Sequence, residues 1–135
     1  MYTEPQLESG TNNQLLMQKD CYGTDSQVAA LNVITDQQRG YQLAYAHFLY
    51  SEIGANPALE EKPDAPPQQL MIHFSMAVVT ILGAALRHID QAVQKNDLKY
   101  VQRGSMKGAI GERTVDRANS PVVASVTITF TKDNV

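Results

Sequence analysis

Residues 70–93 read LMIHFSMAVVTILGAALRHIDQAV and form the most apolar run in the chain, so the fold turns on how this run is read. Met71, Phe74, Val78, Ile81, Ala85, Ile89 and Ala92 recur at spacings of three and four, and Ile72, Met76, Val79, Leu86 and Val93 make a second stripe beside them. That spacing predicts a long helix with two apolar sides. Its third side runs His73, Ala77, Thr80, Ala84, Arg87 and Gln91, with Gly83 alongside, and small residues there admit a close second backbone. A helix that is apolar on most sides needs cover on most sides. The expectation is therefore a homodimer or higher oligomer with Phe74, Val78, Ile81, Gly83 and Ala84 at the interface. A membrane partner is not expected, because only Leu70 to Leu86 is free of formal charge, His73, Ser75 and Thr80 interrupt it, and a span wants about 20 apolar residues.

Upstream, Thr24-Asp25-Ser26-Gln27 has the spacing of a capping box, which predicts a first helix over 25–53. Leu31, Ile34, Tyr41, Tyr45 and Phe48 supply its apolar face, interrupted at Gln37-Gln38-Arg39-Gly40. Gly54 and Pro57 end it, and a proline-containing acidic link over 54–66 leads back to the central run. Downstream, Gln94-Lys95-Asn96-Asp97 stops the apolar pattern. From Val122 to Phe130 apolar residues alternate with Val123, Ser125, Thr127 and Thr129, the period of a strand, with Lys99–Gln102 and Ile110–Val115 as candidate partners. The expected fold class is α+β: two long antiparallel helices, a helical hairpin, with a C-terminal β ribbon completed by homo-oligomerisation. Residues 1–22 read as a flexible arm and 23–135 as a single domain.

At 135 residues and 43% hydrophobic, the chain is long enough to bury a core without staples. One cysteine, Cys21, cannot close an intramolecular disulfide, and no charged segment followed by an apolar run opens the chain, so the expected compartment is the cytoplasm. Net charge is −3, which argues against a general polyanion binder. The charges are uneven, however, with three basic and nine acidic side chains in 1–86 against eight basic and five acidic in 87–135.

No residue set has the spacing of a catalytic or metal centre. His47, His73 and His88 lie apart, with no HExxH arrangement, and Gly104, Gly108 and Gly111 fit neither the dinucleotide nor the P-loop pattern. No cofactor is expected. The functional expectation is a non-catalytic structural or adaptor protein acting through protein–protein contact. One alternative is a nucleic-acid accessory protein using Lys99, Arg103, Lys107, Arg113 and Arg117, since phosphate binding needs only clustered cations. Another is an enzyme or ligand-binding protein with Tyr41, Tyr45, His73 and Arg87 in a pocket between the helices.

Overall fold

Two sheets and one helix account for residues 20–105 and 120–131, the residues that the computed structural model describes. The chain runs β1 (Tyr22–Thr24), β2 (Ala30–Ile34), β3 (Gly40–Ala44), a 3-10 turn (Tyr45–His47), β4 (Phe48–Ala55), a second 3-10 turn (Pro57–Glu60), β5 (Gln68–Phe74), β6 (Ala77–Ala84), α1 (Arg87–Gln94), β7 (Leu98–Val101), β8 (Gly104–Ser105) and β9 (Val122–Phe130). One sheet has the order β1-β7-β2-β3, with β2 and β7 parallel; the other has the order β4-β5-β6-β9-β8 and is antiparallel throughout.

The helical hairpin and the α+β class are overturned by this β-rich architecture. The central run divides into β5, a turn at Ser75–Met76, β6, and only then the short helix α1. Leu70, Ile72 and Phe74 alternate to one side, followed by Ala77, Val79, Ile81 and Gly83, and all seven are buried. Ile72, Val78, Val79, Thr80 and Ile81 are β-branched and suit a pleated sheet better than a helix. The helix expected over 25–53 is replaced by β2, β3 and β4. Its midway interruption is a hairpin turn: the Gln38 N–H donates to the Thr35 carbonyl at 2.9 Å, and Gln38 takes the left-handed conformation at φ 67°. Thr24 belongs to β1, and the Gln27 N–H is taken by the Asp97 carboxylate at 2.9 Å, so no capping box forms.

β9 is no terminal ribbon either, since it pairs along its length with β6 inside the larger sheet. A bulge opposite Leu82/Gly83 switches its faces, so Val123 and Val126 are both buried while Val122 is exposed. Of its expected partners, 99–102 overlaps β7, which pairs with β1 and β2, and 110–115 lies outside the described residues. So do residues 1–19 of the N-terminal arm, while Cys21 and Tyr22 belong to the core and to β1.

A single core joins the layers: Leu31, Val33 and Leu43 of the smaller sheet, Leu70, Ile72, Val79, Ile81 and Val126 of the larger, and Ile89 and Val93 of α1. The loop 56–67 is closed by Asn56, whose N–H donates to the Pro67 carbonyl at 3.0 Å and whose side-chain amide donates to the Pro66 carbonyl at 2.9 Å. No helix among the described residues is long and apolar enough to cross a membrane.

Candidate functional site

Successive side chains of a strand point to opposite faces, so the strands that bury Leu70, Ile72, Val79 and Ile81 must present their alternate residues on the far side of the sheet. Strand register arranges these residues in transverse rows. Tyr50, His73, Val78 and Thr129 form the first, Glu52, Met71, Thr80 and Thr127 the second, and Gly54, Gln69, Leu82 and Ser125 the third, where the Ser125 hydroxyl donates to Asp36 of the β2–β3 turn at 2.7 Å. No described element covers this face. Its residues on the two middle strands are half-buried, whereas the inner residues of the same strands are sealed.

The electrostatics of the face are sparse. Glu52 and His73 are the only acidic and basic side chains in the three rows, and they satisfy each other: His73 Nε2 lies 2.7 Å from a Glu52 carboxylate oxygen. The Tyr50 ring stacks on the His73 ring, centroids 4.2 Å apart and planes nearly parallel. At the centre sit Met71, Val78 and Leu82, with Thr80 between them and Thr127 and Thr129 beyond. β4, the outermost strand, also exposes Leu49.

On the inner side, the end of β4, the start of β5 and α1 enclose an open cleft of about 990 Å³ lined by Ile53, Gln68, Arg87, His88, Gln91 and Gln94. Asp90 reaches its floor, but both carboxylate oxygens are taken, one by the Ser51 hydroxyl and the other by the Gln94 amide at 3.0 Å. Asp90 thus pins α1 to β4, each of its carboxylate oxygens accepting a structural hydrogen bond. Cys21 is no better placed as a nucleophile. It is fully buried, its thiol donates to the Pro121 carbonyl at 3.7 Å, and burial, with a contribution from Asp20, pushes its pKa up to about 11. The Tyr45 hydroxyl donates to the Leu98 carbonyl at 2.8 Å and is pushed well above its ordinary pKa by the same desolvation. Among the described residues no three His, Cys, Asp or Glu side chains come close enough to hold a metal ion.

The residues singled out from the sequence are dispersed. Tyr41 packs edge-on against Phe130 with centroids 5.3 Å apart, Tyr45 is in the core, His73 is on the outer face and Arg87 opens α1, so these four line no common pocket. Lys99 and Arg103 are exposed on and just after β7, whereas Lys107, Arg113 and Arg117 lie outside the described residues. Of the expected interface set, Val78 and Ala84 are on the outer side of the larger sheet, while Phe74, Ile81 and Gly83 are buried in the chain's own core. Tyr50, Glu52, Met71, Thr80, Leu82, Thr127 and Thr129 share the open face and escaped the sequence reading. Their signal was the period of two running through 68–84 beneath the helical spacing.

No protein-family model matches the chain, and no curated protein or solved structure matches it.

Proposed function

We propose that this protein is a non-catalytic docking module that works through protein–protein contact, and that its docking surface is the open face of the β4-β5-β6-β9 sheet. One observation carries the reading: Met71, Val78 and Leu82 stand half-buried at the middle of a broad sheet face whose three rows hold one acidic and one basic side chain, Glu52 and His73, bonded to each other. An antiparallel sheet with a solvated face normally alternates apolar-in and polar-out. Here the outward positions of the middle strands other than His73 are apolar or uncharged, and depletion of charge is what marks the centre of a protein interface. The face has no Lys or Arg in its three rows, which a phosphate backbone requires, so the partner class is protein. Asp90, Cys21 and Tyr45 are each engaged in hydrogen bonds that hold the fold together.

The test is a photo-crosslinking residue placed at Thr80 in living cells, with Lys62 in the exposed β4–β5 loop as the control position. The expected result is a covalent protein adduct at position 80 and none at 62. Equal adducts at both positions, or none at 80, would sink the reading.

A further inference from the structure

We infer that the occupant of the open face is a second copy of this chain, packed sheet against sheet about a two-fold axis that runs along the strands; this rests on the docking reading above. Size comes first. Four long strands about 4.8 Å apart, advancing about 3.3 Å per residue, give a flat footprint of roughly 450 Å² on each copy. The side chains stand above that plane, so two copies remove on the order of 1,000 Å² or more from water, which reaches the range of specific interfaces.

Chemistry then selects the occupant and its orientation. A face nearly without charge has no charge pattern with which to select an unlike partner, whereas a two-fold interface needs only a patch complementary to itself. A two-fold axis across the strands would set β4 over its own copy and Glu52 against the partner's Glu52. An axis along the strands sets β4 over the partner's β9 instead. In the middle row, Glu52 then meets the partner's Thr127, whose hydroxyl donates to a carboxylate, and Met71 meets the partner's Thr80. In the other two rows His73 meets the partner's Val78, and Gln69 meets the partner's Leu82. Twisted sheets stack in this aligned way with their strands about 30° apart.

The decisive measurement is mass in solution by sedimentation, with the full chain. The expected value is twice the 14.9 kDa chain mass, and Thr80→Arg should halve it while the circular dichroism stays folded, because two arginines would meet near the axis. If Thr80→Arg does not fold, Thr127→Arg, at an exposed position, carries the same test. Orientation is read from cysteines. Glu52→Cys with Thr127→Cys should oxidise to a covalent dimer, since the two positions are separated by β5 and β6 within one chain and stacked between chains, while buried Cys21 stays out of the exchange. A wild-type mass of one chain at about 100 µM, a concentration far above the Kd of any stable dimer, overturns the inference. So does a dimer unaffected by either arginine. A covalent dimer from Glu52→Cys alone overturns the orientation. If the chain is monomeric and position 80 still crosslinks to another protein, the second copy falls and the docking reading stands; with no adduct at 80, both fall.

Discussion

Leu70 and Met71 are neighbours in β5, yet the first is sealed under α1 and the smaller sheet while the second faces outward with nothing described above it. The same contrast repeats along β6, where Val79 and Ile81 are buried and Val78, Thr80 and Leu82 are half-exposed. Burying a side chain of this size contributes about 1.5–3 kcal/mol, so the inner face holds the fold while the outer face contributes little to it. Hydrophobic composition and stability therefore part company within one strand. The inner apolar residues are spent on folding, and the outer ones remain available for association.

The largest effect should come from Gly83, on the inner side of β6. A Cβ there collides with the Val122 carbonyl oxygen of β9, so its close backbone approach is made within one chain, at the bulge. Gly83→Val should cost about 3 kcal/mol or more and abolish cooperative melting, as overpacking against backbone cannot relax. Gly54→Val, on the outermost strand with nothing within 4 Å of the new atom, should melt like the parent. A folded Gly83→Val with unchanged melting would mean that β6 and β9 are not packed as described.

Next in size is the comparison of the two faces by truncation, measured in the Thr80→Arg background so that only the chain's own fold is read. Leu70→Ala should lose about 2–5 kcal/mol by chemical denaturation, the usual range for a buried leucine. Val78→Ala should lose under about 1 kcal/mol, since its outer side is already in contact with water and the removed methyl groups leave no enclosed cavity. Equal losses would erase the distinction between the faces.

The smallest effect concerns Cys21, which reports how tightly the inner core excludes water. Its thiol is held up from 9.0 to about 11 by burial, so the folded chain keeps that proton while the unfolded chain releases it. Well below pH 9.0 both states are protonated and Cys21 adds no slope; from there to about 11, stability should fall as pH rises, and the fall should be shallower in Cys21→Ala, which leaves only the raised tyrosines Tyr22, Tyr45 and Tyr100 to contribute. Alkylation at pH 8 should accordingly be slow in the native protein and fast in urea. Rapid native alkylation would show an open core.

Several features follow from the residues alone. The run 70–93 is the centre of the core because no other stretch carries as much apolar surface. Breaks at Gln37–Gly40, at Gly54 to Pro57 and at Gln94–Asp97 fall where glycine, proline and polar residues interrupt any regular element, and each is a chain reversal or an element end. What the residues left open was the period. Met71, Phe74, Val78 and Ile81 keep helical spacing, while Leu70, Ile72 and Phe74, and then Val79 and Ile81, keep strand spacing, and both patterns coexist because the outer face of these strands is apolar too.

Only tertiary pairing separates the two readings. β5 bonds to β4 through Ser51↔Ile72 and Ile53↔Leu70, and β6 bonds to β9 through Val79↔Ile128 and Ile81↔Val126, contacts between residues far apart in the chain that no local propensity encodes. The site was hidden for the same reason. Tyr50, Met71, Thr80 and Thr127 come from four strands and become one surface only when the sheet's register sets them side by side. A strand's backbone hydrogen bonds are made to its neighbours, whereas a helix makes its own, so the residues of one segment record a helix more fully than they record a sheet.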